Sequence, residues 1–497
     1  MLNSLPILTL LLLLPLVGAL LLLPFWRHEA VCRWIALATA LAESAVAWWI
    51  FARASELPTT RLPGYFLLEE QPWLPSLGIS YQLAMDGISL LLVLLTTLIT
   101  LAAIVVSWRQ IQRRQPLHLF FILTMASAIT GVFLAQDLIL FYLFWEVMLL
   151  PMLFLIGLWG HGRHRYSAIK FFLITLAGSL LMLLAIIGIH LVHLQSSGVA
   201  TFSLPLLIGT PIPRSLALWL FAGFFIAFAI KVPLFPLHTW LPDAHTDAPT
   251  AGSVILAGLL LKTGAYGLIR IAYPLFPQAA QSLAPLVYLL ALVGIIYGSW
   301  IAFAQEDMKR LIAYSSIGHM GFVALGIAAW TPVSISGSVI QMANHGVTTG
   351  ALFVLVGMLD ERGHSRRIAD YGGVWQRAPI LSALFLLFAM SSVGLPGLNS
   401  FVGEFLVLVG SFRAMPLAVV IAGIGLVLPL IYMTRLVKEI LFCTGTQTNI
   451  LPDANPREML LLSLLVMANL YVGLHPRPFL DLIHLPMALL TTTGVQP

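Results

Sequence analysis

Charge is scarce in this chain. Asp, Glu, Lys and Arg make up 9% of its 497 residues, against roughly 25% in soluble domains. With 60% hydrophobic residues and a mean hydropathy of +0.97, it has too little polar surface to meet water on all sides, and lipid is the solvent its composition fits. The net charge of +5 is modest and says nothing about nucleic acid, the cations sitting in short loops where they orient the chain; no nucleic acid is expected among its partners. Cysteine is scarcer still, at Cys32 and Cys443 alone. An iron–sulfur cluster takes four protein ligands, mostly thiolates, so none is expected here, and two cysteines make no disulfide framework. Neither G-x-G-x-x-G nor G-x-x-x-x-G-K-[ST] occurs, which excludes the usual dinucleotide and phosphate cradles. No metal site is expected; His190 and His193 lie near a helix end without a third ligand. No cofactor is therefore expected on this chain, and any redox centre belongs to partner chains.

What the chain does have is apolar length. A spanning helix needs roughly 20 predominantly apolar residues. About fourteen such runs can be read, near 5–25, 33–52, 82–107, 118–134, 137–159, 168–194, 215–232, 251–272, 283–303, 309–330, 334–358, 379–412, 416–441 and 457–475. The first lacks the basic start and small-residue cleavage site of a signal peptide, and is expected to stay as the first helix. The longest clearly polar connection is 53–80. Threading fourteen helices through a bilayer puts Arg53, Arg61, Arg214, Arg270, Arg413 and Arg477 on one side. Lys231 and Lys262 fall inside helices, and the remaining seventeen of the 25 cations lie on the other side. Because cationic loops stay inside, both termini are expected on the outer, periplasmic or lumenal, side of a multi-pass integral membrane protein.

Two runs are interrupted. AFAIKVPLFPLHTWLPDAHTDAPT places Pro233, Pro236, Pro242 and Pro249 just after Lys231, and SSVGLPGLNSFVGEF places Gly394, Pro396 and Gly397 in mid-run. Proline removes a backbone donor and clashes with the preceding turn, and irregular backbone at membrane depth survives only where protein or a water-filled cavity covers it. Paired broken helices point to inverted repeats around an ion site. The expected fold is thus an all-α polytopic membrane protein of about fourteen transmembrane helices, with two inverted five-helix repeats and discontinuous seventh and twelfth helices. Its expected divisions are 1–117 (helices one to three), 118–272 (helices four to eight), 273–441 (helices nine to thirteen) and 442–497 (helix fourteen and a tail).

An ionisable side chain at the bilayer centre costs about 2.5–3.5 kcal/mol on insertion scales, so each one is a functional candidate. Glu146, Lys231, Lys262 and Glu404 are the foremost. His319 and His345 occupy the two helices between Lys262 and Glu404 and titrate in the range that suits a proton relay. Ser315, Ser316, Thr348 and Thr349 are candidates to hold connecting water, although such hydroxyls commonly bond their own helix backbone. Glu43 and Asp86 are weaker candidates, open to simple pairing with neighbours. His238, Asp243, His245 and Asp247 form either the mouth of a proton inlet or a cap for the helix that starts near Thr250.

The segments LAQDLILFYLFWEVMLLP, AIKFFLITLAGS, AFAIKVPLFPLHTWLPDAHTDAPTAGSVILAGLLLKTGAYGLIR, EDMKRLIAYSSIGHMGF, NHGVTTGALF and LPGLNSFVGEF together resemble the antiporter-like, proton-translocating membrane subunits of complex I, in the NuoM, NdhD and mitochondrial subunit-four family. They run from about residue 118 to 412. The resemblance implies that Glu146 pairs with Lys231, the central proton carrier of the broken helix. It makes Lys262 the connecting lysine, His319 and His345 the axial relay, and Glu404 the terminal glutamate where the related subunits NuoL, NuoN and MrpD typically carry lysine. The long lateral-helix extension of NuoL-like subunits is absent from the sequence. The implied protein is a non-redox, proton-translocating membrane-arm subunit of a type I NAD(P)H or ferredoxin:quinone oxidoreductase. Its iron–sulfur clusters and quinone would sit on other subunits. Its partners would be neighbouring antiporter-like and other membrane-arm subunits, the lipid bilayer and protons. A subunit of a multi-subunit Na+/H+ antiporter and a membrane subunit of a cyanobacterial CO2-uptake complex are the alternatives. The likeness to NdhD-type chains favours a thylakoid over a bacterial cytoplasmic membrane.

Overall fold

The structure, a computed structural model, describes residues 6–54, 56–57, 60–445 and 451–494. The successive apolar helices are Ile7–Leu21, Glu29–Arg53, Gly87–Gln110, Gln115–Leu134, Leu138–Trp159, His164–Ser197 and Arg214–Lys231, followed by Thr250–Leu275, Pro277–Phe303, Met308–Ala329 and Pro332–Gly363. The paired segments Pro379–Val393 and Asn399–Phe412 come next, then Pro416–Phe442 and Pro456–Leu474. Twelve of these are long and apolar enough to cross a membrane whole. Ile7–Leu21 and the paired segments bring the crossings to the fourteen expected. In apolar surroundings a helix is the element that satisfies every backbone group within itself, which is why apolar length alone locates them. The third, eighth, tenth and eleventh helices form the centre of the bundle and are almost wholly enclosed by the others. Peripheral helices turn residues such as Leu184, Trp219 and Leu460 outward.

Two expected boundaries change. The third helix begins at Gly87 rather than near 82, because β2 (Ile79–Met85) pairs antiparallel with β1 (Leu67–Leu74). The apolar residues of β2 run straight into those of the helix, which hides the junction from a hydropathy reading. Asp86 marks it by accepting the Ser89 amide at 2.9 Å as the helix N-cap. The expected tail after the fourteenth helix contains a further helix, Arg477–Gly494.

The hairpin organises the face opposite the basic loops. Glu69 on β1 accepts the backbone amides of Leu8 and Thr9 at 2.6 and 2.9 Å, satisfying the otherwise unpaired amides at the start of the first helix. Asp137 caps the fifth helix through Ile139 and Leu140 while its other oxygen holds Ser80 of β2. On the basic face, Asp243 sits between Lys170 at 2.7 Å and Arg310 at 3.9 Å, and Arg362 pairs with Glu458 at 2.7 Å.

Both expected breaks are present. The seventh helix stops at Lys231, and the chain resumes as a helix at Trp240–Asp247. The peptide bonds before Pro233 and Pro236 are cis. The Trp240 indole donates to the Ile230 carbonyl at 2.9 Å, satisfying an acceptor the broken helix would otherwise leave exposed. The twelfth helix stops at Gly394, whose φ of +82° a side-chain-bearing residue rarely adopts, and resumes at Asn399.

Candidate proton-relay site

Lys231 is fully buried at the end of the first half-helix. Among the described residues its ammonium has no hydrogen-bond partner, and it lies 5.1 Å from the Phe171 ring centroid and 5.6 Å from that of Trp145, faces that attract a cation. Among the described residues Glu146 and Lys231 make no direct ion pair within 4.0 Å, and one Glu146 oxygen is buried without a partner, but the Glu146 carboxylate lies near enough for its charge to act on Lys231.

The eighth helix carries Lys262 between two stretches of π-helix, Leu256–Leu260 and Leu268–Ala272. Such wider turns often sit at functional sites. Fully buried, Lys262 donates to the Ala257 carbonyl inside the first π stretch and lies 2.7 Å from His345 Nδ1 on the eleventh helix. The His345 and His319 rings are 5.8 Å apart, centre to centre. His319, on the tenth helix, holds Glu404 Oε1 at 2.8 Å through Nδ1 and the Ser392 hydroxyl at 3.1 Å through Nε2. Gln341 donates to the same Glu404 oxygen at 3.1 Å. Four of the six expected site residues, Lys262, His345, His319 and Glu404, therefore form one buried row across four helices. Lys231 lies beside it without bonding to it, and Glu146 acts on Lys231 through its charge. The seventh and eighth helices come close at Gly264, where a Cβ would lie 2.8 Å from that of Lys231.

Sequence reasoning missed Gln341 and Ser392. Gln341 lies one turn before His345, a spacing that puts both on one helix face, and Ser392 directly precedes the twelfth-helix break. It also missed a polar knot beyond that break. Asn399 Oδ1 accepts from Thr348, Ser391 and Asn469 at 2.8–2.9 Å, and Asn344 donates to the Asn399 carbonyl at 2.7 Å. Thr348 thus secures the broken helix, while Ser315 and Ser316 donate to their own helix at the Ile312 carbonyl.

Near the seventh-helix break, no side chain caps the helix at Thr250. Asp247 accepts from Ser167 at 2.6 Å. His245 is fully buried with both ring nitrogens unpartnered, stacked on Phe353 at 4.7 Å. Lys309, read from sequence as a loop cation, is buried and donates to the Ala248 carbonyl at 3.1 Å. The basic face above them opens into a cavity of about 1020 Å3 lined by His161, Asp307, Asp360, His364 and Arg366. Burial, then the charge of Lys309, pushes the His161 imidazole below its ordinary range. Glu43 is fully buried, with one oxygen 3.4 Å from the Thr130 hydroxyl and the other unpartnered. Arg270, also read as a loop cation, is buried within the eighth helix and ion-paired to Asp86.

Residues 135–429, which contain all six candidates, match the family model described as the NADH:quinone oxidoreductase/Mrp antiporter transmembrane family. The chain belongs to that family. It is 43% identical over 488 residues to NADH-quinone oxidoreductase subunit M of Escherichia coli strain K12, covering 95% of each chain. It is 44% identical over 460 residues to the subunit M of Pseudomonas aeruginosa, covering 90% of each. Among solved structures, a chain of respiratory complex I from Thermus thermophilus with bound NADH matches with a TM-score of 0.87 at 33% identity, over 98% of this chain and 100% of that one. A chain of the Mrp complex from a Dietzia species shares the fold, with a TM-score of 0.82 at 23% identity, over 99% of this chain and 52% of that one. Family membership and the helix pattern make this an integral, multi-pass membrane protein.

Proposed function

We propose that the chain is a proton-translocating membrane-arm subunit of an NADH:quinone oxidoreductase, with electron transfer and quinone chemistry on partner subunits. The observation that carries this reading is the buried row Lys262–His345–His319–Glu404. Each member can hold or pass a proton, and together they lead sideways between the two broken helices. Protons would enter from the basic face, taken as the inner side, by way of the cavity near Lys309 and His245. They would charge Lys231 and Lys262, cross the imidazoles and leave near Glu404. The step between the two rings is within reach of one bridging water. Moving one proton outward against 100 mV takes about 2.3 kcal/mol, equivalent to a pKa change of roughly two units. Making or breaking a direct Glu146–Lys231 ion pair would supply a change of that kind.

The wider assignments are part of the same proposal. They comprise the repeats 118–272 and 273–441, termini on the outer side, neighbouring antiporter-like subunits as partners, and no cofactor on this chain. The relatives named above speak of NADH and quinone, which supports a bacterial cytoplasmic membrane over a thylakoid or a CO2-uptake complex. A sodium antiporter is less favoured because Glu404 is already engaged by His319 and Gln341.

The test is proton pumping by the intact complex in sealed vesicles, with NADH-driven quinone reduction followed in parallel, for wild type and Lys231→Ala. Loss of pumping in an assembled complex supports the reading. Wild-type pumping by the variant, or pumping that requires sodium, overturns it.

A further inference from the structure

We propose that the buried Asp86–Arg270 ion pair is an electrostatic plug, closing the route from Lys262 to the face opposite the basic loops and so forcing protons sideways through His345. This rests on reading Lys262 as a proton carrier.

A carrier in mid-helix needs insulation on the side where its protons should not leave. Toward that face the eighth helix carries Thr263, whose hydroxyl donates back to the Leu260 carbonyl at 2.7 Å, then Tyr266, and then Arg270 within the second π stretch. The Tyr266 hydroxyl donates to the Phe133 carbonyl at 2.8 Å and lies 3.2 Å from the Ser89 hydroxyl. Its one proton is committed to a carbonyl, which accepts hydrogen bonds but does not hand a proton on. Asp86 binds the Ser89 amide with one oxygen and the Arg270 guanidinium with the other. Tyr266, Ser89, Asp86 and Arg270 thus close a ring across the third and eighth helices.

Beyond the ring lies a cavity of about 230 Å3, lined by Tyr65, Gln136, Leu204 and Pro205 as well as by the ion pair. It is large enough for several waters at about 30 Å3 each. Arg270 Nε, buried and without a partner, belongs to this cluster, and the guanidinium lies over the Tyr65 ring at 4.8 Å. Water on that face would reach the ion pair and stop. Unlike lysine, arginine keeps its charge in proteins, so it cannot serve as a relay. A fixed cation across a narrow polar passage repels protons, a device known from water-selective pores. Asp86 offsets the cost of burying that charge and holds it across the passage.

The test is passive proton leak, with no electron donor, in sealed vesicles carrying the intact complex under an imposed pH gradient. Asp86→Asn combined with Arg270→Gln neutralises both partners at similar shape, avoiding the lone buried charge that a single change at Arg270 would leave. This double variant should collapse the gradient roughly tenfold faster than wild type, a barrier lower by about 1.4 kcal/mol. Adding Lys262→Ala should restore tightness. A double variant as tight as wild type overturns the plug, as does a leak that persists without Lys262, which would mean a loosened bundle. Pumping by Lys262→Ala alone at wild-type levels would instead show that the underlying carrier reading fails, and the plug with it.

Discussion

The Lys262 ammonium nitrogen and His345 Nδ1 lie 2.7 Å apart across the eighth and eleventh helices. At that distance one proton serves both. A charged lysine donates to a neutral imidazole whose own proton is on Nε2, and a proton arriving at Nδ1 requires a neutral lysine. The pair can pass a charge and resists holding two. His345 Nε2 has no partner, which leaves it free to continue the transfer toward His319.

Because the two groups act as one step, Lys262→Ala and His345→Ala should each lower proton pumping by roughly a hundredfold, the scale of losing a positioned proton-transfer group. The double variant should be little worse than either single one. Pumping assays on the assembled complex give the comparison, and additive losses would show that the residues work independently.

Gly264→Ala should destabilise the bundle. Its added methyl would meet the Phe228 carbonyl at 2.7 Å, Lys231 Cβ at 2.8 Å and the Val232 amide at 3.0 Å. Two of these are backbone atoms at the helix break, so relief requires moving a helix. Overpacking of this kind costs about 1–3 kcal/mol. A lower thermal unfolding temperature of the purified complex is expected, and an unchanged one would mean the helices separate freely.

Asn399→Ala removes the acceptor shared by Thr348, Ser391 and Asn469. Buried donors left unpaired cost about 1–3 kcal/mol. Thermal unfolding should fall accordingly, and proteolysis near residues 394–398 should increase as the second half-helix loses its anchor.

Asp453 predicts an acid limb in the stability profile. Burial raises its pKa, but the amides of Ile380, Leu381 and Ala454 and the charge of Arg362 outweigh that and hold it below the usual aspartate value. A carboxyl depressed on folding stabilises above its unfolded pKa and loses that contribution as pH falls through the folded one. Stability should therefore decline below about pH 3.9, the ordinary aspartate value. Asp453→Asn should flatten that limb, as read by unfolding temperature against pH.

The sequence by itself determined the helices, their breaks and the chemistry-bearing residues. Each of these is a local property. An apolar run of sufficient length must be helical in lipid, closely spaced prolines such as Pro233 and Pro236 or the cluster Gly394, Pro396 and Gly397 interrupt it, and a charge in such a run is costly wherever it lies. What only the tertiary structure decided is which of those charges meet. Lys262 reaches His345, 83 positions away in sequence, because π-helical turns and close packing set the rotation of their two helices. Lys231 comes to lie against the Trp145 and Phe171 rings within reach of the Glu146 charge because three helices pack there. Arg270 and Lys309, which look like loop cations by position, became buried groups because other helices and the hairpin closed over them. Strand β2 escaped notice because its apolar residues continue into those of the helix behind it, and pairing with β1, which no local pattern records, is what ends the strand and starts the helix.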